Sequence, residues 1–159
     1  MLQDMEMSKE MNNEFHQYLT ATRTKLSIEM NVQVLTQGCW PESDAKKVKV
    51  PDELESSKEV FEKYYYKKYP GKILSWMMSL GDCELQGNFE KKYTLLVTNY
   101  QLCVLLLFNK RPQVTFEEIK HLYNIPDAEL QAHTLALIRA GVLTKSNATQ
   151  KVNFPFFDS

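Results

Sequence analysis

The side chains best suited to chemistry in this chain are three histidines, His16, His121 and His133, and three cysteines, Cys39, Cys83 and Cys103. A zinc site assembled from them would need ligands at short, recurring spacings, yet no two histidines lie four residues apart and no CxxC pair occurs. The spacing therefore implies no metal and no other cofactor, and it leaves the thiols as small, buried hydrophobes. Nucleophilic catalysis is no better served: GxSxG is missing, and Ser75-Trp76 and Ser79-Leu80-Gly81 lack the strained strand-to-helix turn that exposes such a serine. The acidic pairs Glu117/Glu118 and Asp127/Glu129 fall where a helix begins, where carboxylates complement the positive end of the dipole rather than act as acid and base. Neither GxGxxG nor GxxxxGK[ST] is present to cradle a phosphate. The expectation is a protein that is not an enzyme.

The elements that surround these residues are easier to place. Ser8 is expected to cap a helix in which Met7, Met11, Phe15 and Leu19 form an apolar stripe that needs a partner. Residues 30–35, Met-Asn-Val-Gln-Val-Leu, alternate and read as a strand with Met30, Val32 and Val34 on one face, ended by Gly38 and Pro41. After Pro51, the acids Asp52, Glu53 and Glu55 open a second helix that buries Leu54, Phe61 and Tyr65, with Tyr64 beside them; Pro70 and Gly71 stop it. Leu74, Trp76 and Met78 suggest a short strand. Residues 83–89 and 93–97 alternate and predict a hairpin turning at Glu90-Lys91-Lys92.

Beyond Asn99 the period is helical again. Residues 99–109 form an apolar helix, Thr115 caps a short one with Phe116, Ile119 and Leu122, and Asp127 caps a longer one that Gly141 ends. Val142-Leu143-Thr144 and Val152-Asn153-Phe154 then pair across Ser146-Asn147-Ala148. Three helices followed by such a pair describe a winged helix. The fold class is therefore α+β: the remnant of a helical bundle over residues 1–25, an α/β subdomain with a small mixed or antiparallel sheet and one helix over 26–97, and a winged-helix module over 98–159.

Composition narrows the partners. With 43% apolar and 25% charged residues in 159, the chain has enough material for a core. Lys and Arg number 19 against 20 Asp and Glu, so no global field draws it to nucleic acid or an anionic membrane. The longest apolar run, residues 102–108, is far short of the roughly 20 residues of a membrane span. The first six residues show no secretory pattern, so a reducing compartment, cytoplasmic or nuclear, is expected, and Asn147-Ala148-Thr149 carries no weight as a glycosylation acceptor.

A winged helix that reads DNA uses its third helix, but residues 127–135 here carry two acids and no Lys or Arg and would repel phosphate. The tract from Lys63 to Lys72 interleaves tyrosines with lysines in the manner of single-strand binders, which makes nucleic-acid binding the alternative function. Its helical spacing instead puts Tyr64 and Tyr65 on the buried line with Leu54 and Phe61, beneath snorkelling lysines. Protein binding remains: the edge of a sheet offers unpaired N–H and C=O groups to a foreign strand.

Several stretches, taken in order, carry a family likeness. They are Met1-Leu2-Gln3-Asp4-Met5 with Ser8-Lys9; residues 32–41, Val-Gln-Val-Leu-Thr-Gln-Gly-Cys-Trp-Pro; Pro51-Asp52-Glu53-Leu54 with Phe61; and Gly71-Lys72 with Leu74-Ser75-Trp76. Tyr100-Gln101 before Leu105-Leu106-Leu107-Phe108-Asn109, Phe116-Glu117-Glu118-Ile119, residues 125–130 (Ile-Pro-Asp-Ala-Glu-Leu) and Val142-Leu143-Thr144-Lys145 complete the series. Together they resemble the C-terminal region of cullins from Met1 to about Asp158. Where that family typically shows His-Ser-Gly-Arg, this chain has Tyr69-Pro70-Gly71-Lys72, and Gln131-Ala132 replaces a basic pair. The resemblance implies a non-catalytic ubiquitin-ligase scaffold that binds a RING-finger protein, and through it a ubiquitin-conjugating enzyme, when the partner's strand joins the α/β sheet. By position, Met30, Val32, Val34, Leu35, Trp40 and Trp76 are the region implied to meet that partner. The family's adaptor-binding stalk and its final winged helix, with the lysine that accepts a ubiquitin-like modifier, are expected to lie outside these residues.

Overall fold

The computed structural model describes residues 2–35, 48–88, 91–146 and 151–153. Their contacts group into two compact units. The first holds the chain to residue 35 together with Pro51–Trp76; the second holds residues 48–50 and everything described from Met77 onward.

In the first unit, helix α1 (Leu2–Thr22) and helix α2 (Asp52–Lys68) face each other. Pro51 stands at the N-cap of α2, and Asp52, Glu53 and Glu55 occupy its first turn, where the dipole favours anions. Met11, Phe15 and Leu19 of α1 bury against Phe61, Tyr64 and Tyr65 of α2. Phe15 meets Phe61 edge-on at 5.1 Å between ring centroids, and Tyr64 and Tyr65 extend the cluster. Such ring pairs add roughly 0.5–1.5 kcal/mol each beyond the area they bury.

The start of α1 differs from the expectation. The helix already begins at Leu2, so Ser8 is an interior residue rather than a cap, and Met7 is 59% exposed while Ser8 is buried. The buried row runs through 8, 11, 15 and 19, and its first place holds a hydroxyl. Helix α1 closes on Arg23 in the left-handed region (φ 51°), with the Thr24 N–H donating to the Leu19 carbonyl at 3.0 Å.

From Thr24 to Val34 every even residue is half-buried and every odd one exposed. Period two is the mark of an extended chain with one face inward. Residues 30–35 are extended as expected, but they join no β-ladder among the described residues, and neither do Leu74, Trp76 and Met78. What bonds the backbone of residues 32 and 34 instead is described below.

In the second unit, β1 (Asp82–Asn88) and β2 (Lys92–Thr98) pair antiparallel, from Asp82↔Thr98 to Asn88↔Lys92. The expected turn at Glu90-Lys91-Lys92 falls partly outside the described residues, and Lys92 already belongs to β2. Cys83, Leu85 and Gly87 share a face with Val97, Leu95 and Tyr93, and the hairpin packs on helix α3 (Asn99–Leu107). It therefore groups with the helices that follow it. Thr98 caps α3 in a reciprocal box with Gln101.

Strand β3 (Gln113–Thr115) leads into α4 (Phe116–Tyr123), capped by Thr115 and Glu118 in a second box. The next helix, α5 (Asp127–Arg139), has Pro126 at its N-cap rather than Asp127, whose carboxylate pairs with Lys120 at 2.9 Å. Gly141, at φ +77°, ends α5 as expected. Strands β4 (Thr144–Lys145) and β5 (Lys151–Asn153) pair through Thr144↔Asn153 and Lys145↔Val152, while β3 covers the other edge of β5. Tyr100, Cys103, Val104, Val114, Ile119, Ile125, Leu130, Leu137 and Leu143 are buried in this unit. The architecture is α+β: helices with two small antiparallel sheets.

Candidate partner-binding site

Among the described residues, the groups that could do chemistry do not converge. His16 Nε2 lies 3.2 Å from the Asn31 side-chain oxygen, and His133 Nδ1 lies 3.1 Å from Thr98 Oγ1, so both ring contacts are structural. Among the described residues, no three His, Cys, Asp or Glu side chains are grouped to hold a metal ion. Burial, with Asp82 beside it, pushes the Cys83 thiol up and away from the reactive thiolate. Cys103 is buried, and Cys39 lies outside the described residues. A hollow of about 480 Å³ is lined by Arg111, Glu117, Glu118, His121 and Leu122, all exposed; Glu118 is already committed to capping α4.

The extended segment beside α1 is organised quite differently. Asn12 donates from Nδ2 to the Val32 carbonyl at 2.8 Å and accepts the Val32 N–H on Oδ1 at 2.8 Å. One helical turn earlier, Ser8 Oγ accepts the Val34 N–H at 3.0 Å and donates to the Val34 carbonyl at 3.2 Å. From α2, the fully buried Ser57 accepts the Ile28 N–H at 3.2 Å, with its hydroxyl within 3.3 Å of the Ile28 carbonyl and 3.2 Å of Glu53 O. Two helices thus satisfy three residues of one parity in the extended chain, 28, 32 and 34, with side chains.

In an extended chain the N–H and C=O of one residue point to one edge and those of the next to the opposite edge. With 32 and 34 turned towards α1, the backbone groups of Asn31 and Gln33 face away. Among the described residues no hydrogen bond is made to them. The side chains meanwhile fix the orientation: Met30, Val32 and Val34 pack on the core formed by Phe15, Phe61, Tyr64 and Tyr65, while Asn31 and Gln33 are exposed. Leu35 is half-buried. Trp40 lies outside the described residues.

Trp76 is half-buried in the same unit. Its ring stands edge-on to Phe61 at 5.8 Å, its Nε1–H donates to Glu62 Oε1 at 2.6 Å, and the Lys58 ammonium lies 5.4 Å from its centroid. Trp76 is thus satisfied within the unit, as a core aromatic with a polar handle. The basic tract resolves similarly. Tyr64 and Tyr65 are buried, and Glu14 accepts from the Tyr64 hydroxyl and forms an ion pair with Lys68. Two of the tyrosines offered to bases by the alternative reading are therefore core residues.

The sequence does not single out Asn12, Ser57 or the inward role of Ser8. One signal was present: Ser8 and Asn12 are four apart, on the helical face that also carries Met11 and Phe15. Polar residues bordering an apolar stripe at that spacing can reach a backbone lying across it.

An α+β chain with an extended segment bonded along one edge is the class of protein this geometry defines. Its sequence matches the family model of the cullin alpha+beta domain over residues 34–156. It is 35% identical over 157 residues to Cullin-2 of Arabidopsis thaliana, covering 96% of this chain and 21% of that protein. It is 36% identical to Cullin-3 of Dictyostelium discoideum over 138 residues, 86% of this chain and 18% of the other. With Cullin-4A of Mus musculus it shares 36% over 155 residues, 96% of this chain and 20% of that one. The chain belongs to the cullin family, and it spans about a fifth of the length of these relatives.

Proposed function

We propose that this chain is a scaffold segment of a cullin-type ubiquitin ligase, performing no chemistry itself and holding a RING-finger protein by strand addition along residues 30–35. The observation that carries the reading is the parity of the backbone: Val32 and Val34 are bonded to α1, and the intervening N–H and C=O groups are directed away from it. An unpaired edge takes up an extended peptide through main-chain hydrogen bonds, with side-chain pockets supplying specificity. The RING-finger protein in turn would bring a ubiquitin-conjugating enzyme, so the chain's contribution is geometric. Residues 98–159 are read as a winged helix, on the order β3–α4–α5–β4–β5 after α3 and the antiparallel pairing β3-β5-β4. Here it serves as a rigid module rather than a DNA reader, since α5 carries acids in its first turn and a single Arg in its last.

Co-expression of the chain with a RING-finger protein, followed by co-purification, tests the proposal. A backbone-bonded, apolar interface should survive about 1 M salt, where exposed charges are screened beyond roughly 3 Å. Failure to co-purify at any salt would overturn it. Salt-sensitive retention of DNA or RNA, without a RING-finger complex, would favour the nucleic-acid alternative.

A further inference from the structure

We propose that Ser8, Asn12 and Ser57 are positioning residues that stand in for a neighbouring strand, which residues 28–34 do not have among the described residues, leaving the opposite edge to a partner. The inference rests on the strand-addition reading and deepens it, because it states which backbone groups are available and what keeps the others occupied.

Three observations carry it. First, each contact is double. One side chain engages both the N–H and the C=O of one residue, as the facing residue of an antiparallel hydrogen-bonded pair would. Second, the spacings match. Four residues of α1 advance about 6 Å, and two residues of an extended chain about 6.6 Å, so Ser8 and Asn12 meet Val34 and Val32 without a break in register. The segment runs antiparallel to α1, and the row of backbone contacts stops at Asn12: His16, four residues on, meets the exposed Asn31 side chain instead. Third, the dependence is mutual. Ser8 is 4% exposed and Ser57 0%, so without the segment their hydroxyls would lose polar partners inside the protein.

The consequence is a fixed parity. A slip of the segment by one residue would point Met30, Val32 and Val34 outward and present the wrong backbone groups to Asn12 and Ser8. An incoming strand therefore finds one register class, built on the groups of Asn31 and Gln33.

Residue-resolved amide exchange on the whole 159-residue chain, with and without a RING-finger protein, tests this. In the free chain Val32 and Val34 are expected to be protected, while Asn31 and Gln33 exchange rapidly. Asn12→Ala should speed exchange at Val32 by about five- to tenfold and leave Val34 unchanged, and Ser8→Ala should do the reverse. A loss of general stability would raise both together, so uniform acceleration overturns the positioning role, as does no acceleration at either. In the complex, protection gained at Asn31 and Gln33 but not at Val32 and Val34 supports the inference, and protection gained equally at all four overturns it. If no complex forms, the strand-addition reading fails, while the free-chain arm still decides whether these side chains set the parity.

Discussion

Asn12 and Val32 are joined by two hydrogen bonds of 2.8 Å, from Nδ2 to the carbonyl and from the amide to Oδ1. A single amide side chain thus saturates both backbone groups of a residue twenty positions away. This pairing occupies one edge of residues 30–35, which have the alternation of a strand but join no ladder among the described residues. An open edge is normally a liability that invites indiscriminate pairing. Here the backbone groups of Ile28, Val32 and Val34 are bonded internally, and those of Asn31 and Gln33 have a defined direction.

The aromatic cluster is what keeps α1 and α2 together, and Phe61 is its hub, fully buried against Phe15, Tyr64, Tyr65 and Trp76. Phe61→Ala should cost about 3–5 kcal/mol, the range for emptying a buried aromatic site. Guanidinium unfolding followed by tryptophan fluorescence reads this, because Trp76 loses the ring it stands against.

Two threonine caps should respond unequally. Among the described residues the Thr115 hydroxyl accepts only its helix contact, from the Glu118 N–H at 3.2 Å, and Thr115→Ala should cost about 1 kcal/mol. Thr98 plays the same part for α3 and also meets His133 Nδ1 at 3.1 Å, so Thr98→Ala should cost more. Chemical denaturation of the two variants side by side settles the order.

Alkaline pH should weaken the fold. Burial, then the charge and hydrogen bond of Glu129, then Cys103 push the Tyr100 phenol from 10.0 up to about 12. Between those values the unfolded chain has released the proton while the folded chain retains it, so stability falls as pH rises. Tyr64 and Tyr65 are shifted in the same direction, each chiefly by burial and then by Tyr69. Denaturation midpoints across this range should decline, and Tyr100→Phe should make the decline shallower.

How much of this was legible depends on whether a pattern or a partner decides the structure. The buried line of α2, that of α1 from Met11 to Leu19 though not Met7, the hairpin and the cap at Thr115 were readable, because Phe15, Phe61, the alternation of 83–97 and the Thr115/Glu118 pair report local periodicity and capping. Ser8 and Asp127 were misplaced because each has a cap residue's chemistry, but one lies a turn and a half inside α1 and the other follows Pro126, which already occupies the cap. At residues 30–35 periodicity indicated an extended chain with the right face inward. It was silent on what would bond the backbone, since a helix offering Asn and Ser leaves the same alternation as a neighbouring strand. The contact between β3 and β5 was missed for want of length: three residues carry too little pattern.

The most direct test of strand addition is the affinity of Gln33→Pro for a RING-finger protein, measured against Gln33→Ala. Gln33 has an exposed side chain and lies between the two residues held by α1, so proline should remove one outward-facing N–H while sparing the bonds of Val32 and Val34. The account predicts that Gln33→Ala binds like the parent chain and that Gln33→Pro binds at least about tenfold more weakly, with an unchanged unfolding midpoint. Equal affinity of the proline variant and the parent would contradict it.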